Sequence, residues 1–153
     1  MILRSLRVHN FGSLNPGAVI AGLADRFTLI EGTNGAGKST LFTALCYALY
    51  QKHTSAGEQV QARIVPRGAL VSPRVELDFE HDDRSWRIEK QWMRRKEAVL
   101  SEKIDGVYKT VAEADAADDR LRELLGSRAG RKLKPDPADR GIGEVLLVDQ
   151  GRL

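Results

Sequence analysis

The chain has 153 residues, of which 42% are hydrophobic and 29% charged, a balance that suits one globular domain and excludes collagen-like, low-complexity and disordered chains. Lys and Arg total 24 against 21 acids, for a net charge of +3, which is compatible with a nucleic-acid partner without being evidence of one. The longest apolar stretch, near Leu41 to Tyr50, is far shorter than the roughly 20 residues that span a bilayer, and Arg4 and Arg7 interrupt any signal-peptide core. A cytoplasmic chain with no membrane partner is therefore expected. The single cysteine, Cys46, reads as a lone buried thiol in a reducing compartment.

In chain order, residues 2–11 place Ile2, Leu6 and Val8 on one face, the pattern of a half-buried strand. Turn chemistry at Gly12 and Asn15-Pro16-Gly17 leads to a second strand over 18–20. Residues 26–30, Arg-Phe-Thr-Leu-Ile, form a short apolar run that predicts a strand buried on both faces. After a glycine-rich stretch, Leu41, Ala44, Leu45, Ala48 and Leu49 repeat at helical spacing, so a helix is expected over 41–50. Residues 51–72 have no steady period and read as an irregular connection. Val75, Leu77 and Phe79 then alternate with polar residues, His81-Asp82-Asp83 turns the chain, and Trp86 and Ile88 return. Asp105-Gly106 predicts a hairpin between strands at 99–104 and 107–109. Thr110 and Glu113 have the spacing of a capping box, opening a helix that carries Ala117, Leu121 and Leu124 and ends at Gly126. Residues 127–140 read as a basic loop, and Val145-Leu146-Leu147-Val148 as a last buried strand.

Chemistry concentrates in Gly32-Thr33-Asn34-Gly35-Ala36-Gly37-Lys38-Ser39, a full match to G-x-x-x-x-G-K-[ST], with Thr40 after it. Average residue usage gives such a match by chance in roughly 0.5% of chains this long. The predicted context of strand, loop and helix is the one that phosphate binding requires. Glycines let backbone N–H groups converge on phosphate, and the helix N-terminus adds the positive end of its dipole. Lys38 would reach the β- and γ-phosphates, and the Ser39 hydroxyl would ligate magnesium. The candidate nucleotide-binding residues are thus Asn34, Gly35, Ala36, Gly37, Lys38, Ser39 and Thr40, with ATP and magnesium as the expected cofactors.

Four stretches together, Asn10-Phe11-Gly12-Ser13-Leu14, the loop from Gly32 to Thr40, the helix after it and the closing Val148-Asp149-Gln150-Gly151, resemble the N-terminal half of the ATPase head of the SbcC and Rad-fifty family. These are ABC-class ATPases related to the SMC proteins. The resemblance implies an α/β P-loop NTPase fold, the N-terminal lobe of an ABC-ATPase head with a mixed sheet and an antiparallel β meander, occupying residues 1–153. It also implies that Gln150 is the Q-loop glutamine that touches magnesium and the attacking water, making Lys38 and Gln150 the catalytic candidates and Ser39 and Gln150 the metal ligands. Some relatives carry a basic residue where Gly12 stands, and Gly12 cannot meet phosphate in that way.

The same resemblance places the acidic strand with the catalytic glutamate, the signature loop and the switch histidine beyond a long coiled coil, so the chain is expected to be a fragment. Its implied partners are its own C-terminal head lobe, a second head in a homodimer, a nuclease subunit and, for the full-length protein, DNA. Two basic runs could track a phosphate backbone: Lys90, Arg94, Arg95 and Lys96 with Trp86 and Trp92 interleaved, and Arg128, Arg131, Lys132 and Lys134. Such runs are more often solvated hairpin tips. His9, His53 and His81 are scattered and read as non-ligating. Function is expected in DNA double-strand-break repair or processing, the alternatives being an SMC-like phage-defence ATPase and a non-hydrolysing scaffold lobe.

Overall fold

The computed structural model describes residues 1–126. Its centre is a six-stranded sheet in the order β2-β1-β3-β4-β5-β6, antiparallel at every junction. Strand β1 (Ile2–Phe11) turns at Gly12 into β2 (Leu14–Ala21) and pairs on its other side with β3 (Arg74–His81). Leu6 lies opposite Leu77 in that pairing, so the central junction of the sheet spans everything between, including the glycine loop and two helices. Strands β4 (Arg84–Gln91), β5 (Glu97–Ile104) and β6 (Val107–Glu113) complete a meander whose pairings are local. Both of its expected tight turns form with two consecutive positive φ angles, 50° and 58° at Asp82-Asp83 and 52° and 82° at Asp105-Gly106. That geometry matches the right-handed twist of the flanking strands.

Period-2 alternation gives the sheet two unlike faces. One buries Leu6, Val8, Val75, Leu77, Phe79, Trp86, Ile88 and Leu100, each large apolar side chain contributing on the order of 1.5–3 kcal/mol. Helix α1 (Lys38–Tyr50) covers it with Leu41, Ala44, Ala48 and Leu49, and α3 (Ala114–Leu124) with Ala117 and Leu121. Phe11, Tyr47 and Trp92 pack edge to face with centroids 5.7 to 6.1 Å apart, joining the end of β1 to α1 and to the turn after β4. The other face is polar. Asp78 accepts from Ser5 Oγ at 2.8 Å and from Arg87 Nε at 2.6 Å, while Arg7 pairs with Glu76 and the Arg87 guanidinium lies 4.1 Å from the Tyr108 ring centroid. Burial pushes the Asp78 carboxyl up, but the bonds from Arg87 and Ser5 outweigh it and hold the group below the usual carboxylate range.

Several expectations are corrected. Residues 26–30 are not a buried strand: Phe27, Leu29 and Ile30 are 76%, 65% and 44% exposed, and the segment joins no sheet among the described residues. Its composition suits a strand, but among the described residues no neighbouring strand offers a ladder for its N–H and C=O groups. The strand expected at 18–20 is longer, as β2. The stretch 51–72 contains a short helix, α2 (Glu58–Ile64), anchored by fully buried Ile64. Thr110 caps nothing, since it belongs to β6 opposite Ser101, and α3 starts from Glu113 with no side-chain cap. Its end at Gly126, φ 71°, is as expected. Cys46 is half-buried rather than buried. The expected strand at 145–148, the loop at 127–140 and Gln150 lie outside the described residues.

Candidate functional site

The loop of residues 31–37 runs into α1 at an exposed corner of the molecule. Gly35 and Gly37 adopt φ 83° and 90°, conformations that cost a side-chain-bearing residue strain. Gly37 has a second reason to be glycine, because an added Cβ would stand 2.6 Å from Leu14 Cδ2. Helix α1 begins at Lys38 with no side-chain cap and no acid in its first turn. Its first backbone N–H groups, which no helix can satisfy internally, therefore face outward together with the positive end of the dipole. A helix N-terminus of this kind suits an anion.

Lys38 Nζ folds back over the loop and donates to Gly32 O at 2.7 Å and Thr33 O at 2.9 Å. Both acceptors are neutral carbonyls, so a phosphate oxygen would compete for the same ammonium with charge in its favour. Asn34 is exposed in the turn of the loop, and Ser39 is exposed at the second position of α1. A hydroxyl there, one residue from the ammonium and beside open N–H groups, suits a magnesium ion shared with phosphate. Thr40 is half-buried, its Oγ1 2.7 Å from Ser13 Oγ. The structure thus brings Asn34, Gly35, Ala36, Gly37, Lys38, Ser39 and Thr40 to one corner.

Beneath residues 23–30 a cavity of about 500 Å³ opens, lined among others by Leu3, Leu6, Ile20, Ile30, Phe42 and Leu45. Lys38 lies on its border, so the apolar cavity and the phosphate loop share a wall.

The aromatic-basic reading of residues 86–96 loses three of its six residues. Trp86 and Trp92 are 2% and 0% exposed, and Lys90 is 2% exposed, so none of the three can track a phosphate backbone. Lys90 Nζ lies 2.8 Å from Asp118 Oδ1 and donates to Gln51 O at 3.0 Å, and His53 Nδ1 donates to Asp118 Oδ2 at 2.7 Å. Burial pushes the Lys90 pKa down against the pull of Asp118. Burial pushes the Asp118 carboxyl up, but Lys90 and His53 outweigh it and lower its pKa. His53, Asp115 and Asp118 also bring possible metal-ligand atoms within 4.8 Å of one another, but the Lys90 ammonium already stands at Asp118 as the cation. Trp92 Nε1 donates to Lys52 O at 2.9 Å and Lys96 Nζ to Thr54 O at 3.1 Å. The segment after α1 is thereby held by donors from the β4–β5 hairpin. Arg94 and Arg95 remain exposed, and Arg128, Arg131, Lys132 and Lys134 lie outside the described residues.

A glycine loop at the N-terminus of a helix that packs on a sheet defines a lobe of the P-loop NTPase type. The AAA domain family model matches residues 5–135, and the chain belongs to that family. It is 28% identical over its whole length to the chromosome segregation protein sudA of Emericella nidulans, covering 12% of that protein. It is 34% identical over 67 residues, 44% of this chain, to a probable DNA double-strand break repair Rad50 ATPase of Aquifex aeolicus, covering 7% of it. The chain thus spans about a tenth of the length of the curated relatives it matches. Among solved structures, the SMC head domain from Thermotoga maritima aligns with a TM-score of 0.53 and 25% identity over 83% of this chain and 43% of that one. A chain solved for the structural biochemistry of ATP-driven dimerization and DNA stimulated activation of SMC ATPases aligns with the same TM-score over 82% of this chain and 78% of that one, and at 19% identity shares the fold. The lobe resembles the N-terminal part of an SMC- and Rad50-like ATPase head, as the sequence implied.

Proposed function

We propose that residues 1–153 form the N-terminal lobe of an SMC-like ATPase head that binds magnesium-ATP at residues 34–40 and serves DNA double-strand-break repair or processing. The observation that carries this reading is the uncapped N-terminus of α1 behind Gly35 and Gly37, with Lys38 Nζ held over the loop by two neutral carbonyls. Backbone N–H groups would bind the phosphates, Lys38 would neutralise charge at the β- and γ-positions, and Ser39 with Gln150 would hold the metal. Magnesium, when bound, would supply charge neutralisation at the phosphates. Gln150 would also orient the attacking water. Hydrolysis would follow completion by a C-terminal lobe and pairing with a second head, gating a nuclease subunit. Support for the DNA setting comes from the relatives' names, one for chromosome segregation and one for break repair.

Titration calorimetry with magnesium-ATP tests the reading. Lys38→Ala is expected to bind about ten- to a hundredfold more weakly, the range of one charge-assisted hydrogen bond at about 1.5–3 kcal/mol, and unchanged affinity overturns the assignment. A second outcome concerns turnover. The resemblance assigns the catalytic glutamate and the signature loop to a separate stretch of sequence, and phosphoryl transfer asks a protein for positioning and electrostatic stabilisation above all. Steady hydrolysis by this chain alone is therefore expected to be negligible. Turnover that survives repurification and vanishes in Lys38→Ala would place catalysis here instead.

A further inference from the structure

The β1–β2 turn lies directly behind the phosphate loop, and three consecutive residues of it touch the loop or the helix it opens. Gly12, at φ 56°, donates its N–H to Ile64 O at 2.6 Å, and an added Cβ there would stand 2.9 Å from Thr40 Cγ2. Leu14 Cδ2 fills the corresponding space at Gly37. Between these two contacts, Ser13 Oγ stands 2.7 Å from Thr40 Oγ1.

Thr40 is the third residue of α1, on the turn whose N–H groups are open. In a helix a threonine divides between two rotamers, because its hydroxyl can turn back and donate to a carbonyl one turn earlier. Thr43 on the same helix has done this, its Oγ1 donating to Ser39 O at 2.9 Å. Thr40 has not. Its hydroxyl pairs with Ser13 and so stays beside the loop, with hydrogen-bonding capacity left for a ligand, whereas a back-bonded hydroxyl would be spent on the helix.

We propose that Ser13 is a positioning residue for the bound nucleotide: it keeps the Thr40 hydroxyl out of the helix back-bond and beside the loop, so that the β1–β2 turn sets affinity without touching the ligand. This rests on the nucleotide reading above. With glycine at position 12 the turn offers no cation there, and Ser13 acting through Thr40 is its route to the phosphates.

The test is calorimetric titration of magnesium-ATP into the full chain and into Ser13→Ala, Thr40→Val and the double variant. Ser13→Ala is expected to bind about three- to tenfold more weakly, the range of one net hydrogen bond, and Thr40→Val at least as weakly. The double variant should bind no more weakly than Thr40→Val, since Ser13 acts only through Thr40. Ser13→Thr, which restores the hydroxyl, should recover affinity. The thermal midpoint of Ser13→Ala without nucleotide should match that of the unmodified chain, because the pair sits at the surface. Unchanged affinity in Ser13→Ala overturns the proposal, as do losses that multiply in the double variant or a loss that tracks a lowered midpoint. Undiminished binding by Lys38→Ala would overturn the nucleotide reading itself. Loss of binding in Lys38→Ala with none in Ser13→Ala removes only the role of Ser13.

Discussion

Replacing Asp118 with alanine is expected to destabilise the chain by about 3–5 kcal/mol, because it leaves the Lys90 ammonium buried without its counter-charge. Lys90 is 2% exposed, and its other described acceptor is the single carbonyl of Gln51. The same substitution removes the acceptor for both Nδ1 and the backbone N–H of His53. Urea denaturation measures the loss, and a change below about 1 kcal/mol would show that the pair contributes little. Lys90→Met combined with Asp118→Leu should recover most of the stability, since matched apolar replacements of a buried ion pair are often neutral or better. The pH dependence has a definite sign. Asp118 and Asp78 are both held below the usual carboxylate range in the folded chain, so the stability they confer is present above the unfolded value near 4 and is lost as pH falls below it. Asp118→Ala should flatten that acid limb, leaving the part due to Asp78 and to Glu80, whose carboxylate the bond from Arg4 holds below its ordinary range.

The second large effect concerns residues 27–30. The proposal that a C-terminal lobe completes this one requires a partner for their backbone, which has no ladder among the described residues, and for Phe27, Leu29 and Ile30, whose exposure is a liability in water. Their amides are expected to exchange rapidly in the chain alone and to slow by about a thousandfold when the complementary lobe from the same gene is added. Amides in β3 to β5 should be protected in both states. A monomer by light scattering in which 27–30 exchange as slowly as the meander would refute this, as would exchange that the added lobe leaves unchanged. The cavity beneath the segment, walled by Leu6, Phe42 and Leu45, is where such a partner would pack.

What could be read from sequence divides by the distance over which the information acts. The glycine loop and the helix it opens were legible because glycines, lysine and serine lie at fixed offsets within eight positions, and the meander because period-2 alternation and the Asp82-Asp83 and Asp105-Gly106 turns are local signals. The 26–30 segment has the composition of a buried strand, but whether a strand forms depends on a neighbour that its own residues do not specify. Helix α2 was missed because Val60 and Ile64 are its whole apolar repeat. Lys90 read as hairpin charge, since nothing near it in sequence announces Asp118 or the His53 that lies 65 residues before that aspartate. Ser13 and Thr40, 27 residues apart, were equally silent. Residues that meet only through the fold leave no spacing to detect.

The junction of β1 with β3, where Leu6 faces Leu77, has a kinetic consequence. Strands β3 to β6 can zip by successive short hairpins, each closing on a microsecond scale. Joining β1 to them means closing a loop of some seventy residues, an entropic cost that must be met before the contacts of that junction repay it. Residues 31–40 lie inside this loop, and their brace of Gly12, Ser13 and Leu14 comes from the β1–β2 hairpin, which docks last. During synthesis the β1–β2 hairpin therefore waits for the meander to emerge from the ribosome, and residues 31–40 gain their brace only with the final closure of the sheet.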